Sequence, residues 1–135
     1  MENKITLSTP IKTYSFYDQN DKFLFDLHFD PSDIGIMERA EEVGKYLENI
    51  KPKDETEVLS ASKEVKKQID YLLNTQAADQ IFSISNPFSL LDSGKFFVEE
   101  VLDAINHLVE KEMNHKMKKV NRRLEAYTEK YQSHE

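Results

Sequence analysis

The stretch FFVEEVLDAINHLVEKEMNHKMKKVNRRLEAYTEKY, Phe96 to Tyr131, decides the fold. It contains neither Gly nor Pro, the two residues that break helices, and its apolar side chains recur at helical spacing. Val98, Val101, Leu102, Ile105, Leu108 and Val109 make a broad stripe, as a helix lying on a core requires. From Met113 the pattern narrows. Met113, Met117, Val120, Leu124, Tyr127 and Tyr131 follow at intervals of four, three, four, three and four, the seam of a coiled coil. At about 1.5 Å per residue such a helix is roughly 50 Å long, more than a domain of this size spans. The distal seam therefore calls for a cover: another copy, another protein, or an earlier part of the chain.

Working back from that helix, Ser83 to Lys95 is a breaker region, punctuated by Asn86-Pro87 and Ser93-Gly94. Ile84, Phe88, Leu90 and Leu91, with Ile81 and Phe82 just ahead of them, make it strongly apolar, so it is expected to tuck against the core or a partner. Before it, Val58, Val65, Ile69, Leu72 and Leu73 predict a helix over about Glu55–Ala78 that packs on one side only. Lys51-Pro52-Lys53 separates it from a first helix over about Pro31–Ile50, with Met37, Ala40, Val43, Leu47 and Ile50 on one face. Asp30 reads as its cap, Pro31 as its first residue, and Asp33 as a charge suited to the positive end of the dipole.

Upstream the period changes from helical to two. Tyr14 and Phe16, then Phe23, Phe25, Leu27 and Phe29, alternate with polar residues around Asp18-Gln19-Asn20-Asp21, whose short side chains suit a tight turn. A hairpin over about Thr13–Phe29 follows, and its aromatic face must rest on helices because a lone hairpin is marginal. The chain is thus mainly α with a small N-terminal β-hairpin and three principal helices. The last of these is long and amphipathic, with a coiled-coil-like distal half. Residues 1–12 form a polar lead-in, 13–110 a hairpin plus helical core domain, and 111–135 a distal extension of the last helix.

Charged residues are 32% of the 135, against 39% hydrophobic and 10% aromatic, which favours a few well-organised apolar faces over disorder. The net charge of −7 argues against binding nucleic acid, whose affinity is built from Lys and Arg. One basic patch, Lys116, Lys118, Lys119, Arg122 and Arg123, reads as a solvated helix face or a dock for an acidic partner. With no cysteine there is no disulfide framework, which fits a reducing cytosol. Met1-Glu2-Asn3-Lys4-Ile5 lacks the pattern of a signal peptide, and no run approaches the ~18 apolar residues of a membrane span. A cytoplasmic protein without membrane contact is expected.

Signals for catalysis are sparse. There is no nucleophile elbow, phosphate loop or zinc-ligand spacing, and three glycines leave little for a backbone cradle. Histidines 28, 107, 115 and 134 are scattered. Glu38-x-x-Glu41 and Glu100-x-x-Asp103 could each present two carboxylates on a helix face, as Mg²⁺-dependent all-helical nucleotide pyrophosphatases do, but a whole helix separates them. Glu99, Asp103 and His107, at intervals of four, are an equally common coincidence on a charged helix. The residues point to an interaction protein without catalytic residues, metal or cofactor, an adaptor or homo-oligomer being the generic form.

The order of parts carries a resemblance. Asp30-Pro31-Ser32-Asp33 leads into Met37-Glu38-Arg39-Ala40-Glu41-Glu42; Ile81-Phe82 and Asn86-Pro87-Phe88 follow; then comes Phe96-Phe97-Val98-Glu99-Glu100-Val101-Leu102-Asp103-Ala104-Ile105. Over about Thr13 to His107 this resembles the small tail assembly chaperones of long-tailed phages and prophages of Gram-positive bacteria. The resemblance implies a non-enzymatic protein of the host cytoplasm that coats apolar segments of the helical tape-measure protein and helps tail-tube subunits assemble. Its partner surface would be Met113, Met117, Val120, Leu124 and Tyr127, with Phe88, Leu90 and Leu91 second, because methionines adapt to varied partner shapes.

Overall fold

The computed structural model describes residues 3–50 and 54–132, with Glu55 and residues 127–132 described by their backbone alone. Six elements follow in order: β1 (Lys12–Tyr17), β2 (Phe23–Phe29), α1 (Gly35–Asn49), α2 (Glu55–Leu73), α3 (Ala78–Ile81) and α4 (Phe97–Gln132). The architecture is the expected one, mainly helical with a two-stranded antiparallel hairpin and a long final helix.

The hairpin closes through Asp18. Its Oδ1 accepts from the amides of Asn20 (2.8 Å) and Lys22 (3.0 Å), while Asp21 takes the left-handed conformation at φ 60°. The pairing runs from Lys12 opposite Phe29 to Phe16 opposite Phe25, then slips so that Tyr17 faces Phe23. Leu24 is the extra residue of a bulge, and an extra residue reverses which face its neighbours occupy. Phe25, Leu27 and Phe29 are accordingly buried, with Phe16 stacked on Phe25 (ring centroids 4.8 Å apart). Phe23, read from the alternation as a core residue, is instead turned outward, edge-on to Tyr17.

The first helix begins later than Pro31. The carboxylate of Asp30 is occupied by the amide and hydroxyl of Ser32 (2.9 and 2.7 Å), which makes a turn rather than a cap, and Pro31 is buried as a wedge beneath it. Asp33 does the capping work instead. Its Oδ1 accepts from the Gly35 amide, its carbonyl from Ile36, and its Oδ2 pairs with Arg39 at 2.7 Å. Arg39 also donates to the Leu72 carbonyl (3.1 Å) and so ties α1 to the end of α2. It lies across Gly35 so closely that a Cβ there would stand 2.6 Å from Nη1. The expected terminator of this helix, Lys51-Pro52-Lys53, lies outside the described residues.

Asp54 caps α2 by accepting from the Glu57 amide (2.8 Å). The helix ends at Leu73 rather than Ala78, because Asn74 adopts a left-handed conformation (φ 54°) and closes it. Asp70, one turn earlier, uses its Oδ1 to cap the next helix through the amides of Ala77 (2.8 Å) and Ala78 (2.7 Å). The break lets the chain turn and bury Ala77, Ala78, Ile81 and Phe82.

The breaker region divides. Pro87 is buried and its carbonyl receives the Val98 amide, while Asn86 Oδ1 accepts from the Ser62 hydroxyl and the Phe88 amide. Beyond it the chain makes a small turn through Gly94 (φ +88°), where the two arms pair at Leu90 and Phe96. A single core joins all of this: Leu27 from the hairpin, Ile36 and Val43 from α1, Ile69 and Leu72 from α2, Ile81, and Val98, Val101, Ile105 and Val109 from α4.

Ile69→Ala, at a fully buried site, should lower the unfolding free energy by about 2–5 kcal/mol. Asp70→Ala, which orphans two backbone amides, should cost about 1–3 kcal/mol. Urea titrations followed by circular dichroism measure both.

Candidate interaction surface of the long helix

Helix α4 presents two faces about a quarter-turn apart. Val98, Val101, Ile105 and Val109 lie on the core face, and the next residue on that line is Glu112. Glu112 is only 7% exposed. Its Oε1 lies 2.7 Å from Lys12 Nζ at the start of β1 and 3.9 Å from Lys116 Nζ one turn on. The ammonium groups hold it by charge, since neither makes a hydrogen bond to Oε1. The Lys12 ammonium holds the Glu112 carboxyl below its ordinary range, and the pairing raises Lys12 in return. Lys116 donates to the Ser32 hydroxyl (3.1 Å), which itself donates to Asp30. Hairpin, turn and long helix are thus joined by one chain of polar contacts where the apolar core stops.

The second face carries the seam. Met113 is half-buried and packs against the core cluster, so it serves the fold first. Met117 (55% exposed), Val120 (37%) and Leu124 (52%) lie open beyond it. The backbone of Tyr127 continues the helix, and its side chain lies outside the described residues. Lys118, Lys119, Arg122 and Arg123 are exposed, the first three on the side of the helix turned away from the seam and Arg123 at its edge, while Lys116 of the same patch is drawn into the polar junction. The lead-in passes close by: Thr9, Pro10 and Ile11 line a groove of about 470 Å³ together with Glu112, Lys119 and Val120. Ile5, Leu7 and Ile11 of the lead-in are exposed.

The second candidate patch is split by the fold. Phe88 is half-buried, packs on the core and meets Phe96 edge-on (5.5 Å between centroids); Leu91 is half-buried, and Leu90 is 71% exposed. Phe88 and Phe96 instead form the end of a groove of about 440 Å³ between α1 and α4, with Leu47 and Ile50 on one bank and Leu102 on the other. Glu48, Glu99 and Asp103 stand on its rim, Asp103 paired with Lys95 at 2.8 Å.

Glu38, Glu41, Glu100 and Asp103 are all exposed, and Glu41 pairs with Lys45. Among the described residues, no three His, Asp or Glu side chains gather closely enough to hold a metal ion. Also among the described residues, no helix is long and apolar enough to cross a membrane. His28 binds the Thr13 hydroxyl across the hairpin (2.7 Å). Sequence reasoning passed over Glu112 and Lys12. The available signal was an acidic residue that continues the apolar line 98, 101, 105, 109.

The depressed pKa of Glu112 means that the unfolded chain binds the proton more readily than the folded one. Its contribution is therefore present above the ordinary glutamate range and is lost as pH falls through the folded value. Asp33, held down chiefly by Arg39, adds in the same direction. Glu112→Gln should flatten the acid side of the stability–pH profile, measured as thermal midpoint against pH.

No family model, curated protein or solved structure matches this chain.

Proposed function

We propose that this chain is a non-enzymatic helix-binding protein whose partner lies along distal α4. Following the order-of-elements resemblance, the partner is the tape-measure protein of a phage tail, and the function is that of a tail assembly chaperone. One observation carries the reading: Met117, Val120 and Leu124 are exposed in coiled-coil spacing on a helix that outruns its own core. A stripe of this kind fits the apolar face of another helix, and the flexible thioether of Met117 accommodates varied side chains along a long partner. Arg123, at the edge of the seam, favours a partner with an acidic flank. Leu90, exposed at the turn before α4, offers a secondary contact.

Co-expression with a tape-measure protein should raise its soluble fraction and give a co-purifying complex. Met117→Asp with Leu124→Asp should abolish both effects while leaving the far-UV circular dichroism of the chain intact. Unchanged solubility and no complex with the unaltered chain would count against the proposal.

A further inference from the structure

The cations of distal α4 make a face of their own. Lys111, His115, Lys118 and Arg122 follow at intervals of four, three and four, so they form one line along the helix, with Lys119 at its edge. All five are exposed, and the line stands about half a turn from Met117, Val120 and Leu124. Among the described residues, Lys111, Lys118, Lys119 and Arg122 make no ion pair. Glu112, the single acidic residue between Lys111 and Arg123, is turned inward and engaged by Lys12 and Lys116. Segregation of this kind works against the helix, because like charges three and four residues apart weaken it and mixed signs would strengthen it. The helix dipole gives no relief, since its field is felt within the last turn and Arg122 lies ten residues before Gln132. An anion from outside would relieve it.

Beside the line, between α4 and β1, runs a groove of about 590 Å³. Lys12, Lys111, His115 and Lys118 give it its cations, and Tyr14 and Leu108 an apolar lining. Carboxylates close the line at both ends: Glu100, eleven residues before Lys111, and Glu125, three after Arg122, lie on the same side of the helix. We infer that this line and its groove bind a short acidic segment of a partner protein. The segment's carboxylates meet Lys111, Lys118 and Arg122, and an apolar side chain beside them enters the groove against Tyr14 and Leu108. The open cationic stretch is roughly 17 Å long, which matches about eleven helical or five extended residues. A nucleic acid suits it less, since a continuous phosphate backbone would run on to Glu100 and Glu125. The inference does not rest on the tape-measure reading, because the seam faces the other way and both surfaces can be filled together.

Fluorescence anisotropy with the full chain tests it, using a dye-labelled peptide of about twelve residues, Glu at most positions with one Leu and one Phe. The expected dissociation constant is below about 0.1 mM in about 0.05 M salt, and at least ~10-fold weaker in about 0.5 M salt. Lys118→Glu with Arg122→Glu should raise it at least ~10-fold. Lys63→Glu with Lys67→Glu, the same change of charge on exposed residues of α2, should alter it by less than ~3-fold, as should Met117→Ser with Leu124→Ser on the seam. All six residues are exposed, so each variant should keep the helical signal of the parent. A peptide that does not bind overturns the inference, and so does an equal loss from the α2 pair or from the seam pair. A labelled single-stranded DNA of about twelve nucleotides that binds more tightly than the peptide overturns it in favour of nucleic acid. Tape-measure co-purification is read separately, so either proposal can fail without the other.

Discussion

The buried carboxylate of Glu112 is the point on which the arrangement turns. A carboxylate removed from water is tolerated only where opposite charge compensates it, and here the compensation comes from Lys12 in the hairpin and Lys116 on its own helix. The chain of contacts continues through Ser32 to Asp30, which shapes the turn that wedges Pro31 into place ahead of α1. Removing either lysine would leave the Glu112 carboxylate partly uncompensated. The entry of the hairpin, the start of α1 and the heading of α4 therefore depend on one another.

That junction also separates two uses of one helix. Up to Val109 the inner face of α4 is buried among hairpin and helices. Beyond Glu112 the same line becomes charged, and the apolar residues move about a quarter-turn round the helix. An exposed Met117 or Leu124 thus makes little claim on the stability of the fold, because the residues that hold α4 in place are on another face. The face proposed to bind a partner helix is therefore free to vary without unsettling the core.

Much of the architecture was legible from spacing. The hairpin and the three main helices follow from a change of period, which reflects the geometry of strand and helix directly. The boundaries were less legible, for local reasons. Asp30 could cap a helix or a turn, and only the Ser32 hydroxyl within reach decided for the turn. Asn74 could have continued α2, but Asp70 was placed to cap a new helix that buried two alanines. Phe23 obeyed the alternation and still faced outward, because one residue of bulge reverses a strand's faces.

By itself the sequence determined the fold class, the length of the last helix and its coiled-coil seam, because periodicity is a property of consecutive residues. Tertiary structure alone decided which side chains along that helix are held and which are open. It packed Met113 and Phe88 against the core, left Met117 and Leu124 exposed, and buried a glutamate between two lysines, one of them a hundred residues earlier in the chain. It also set Leu47 and Ile50 across from Leu102 to form a groove. The reason is physical: burial and pairing depend on neighbours brought together from distant parts of the chain, and no local pattern encodes which neighbours those are.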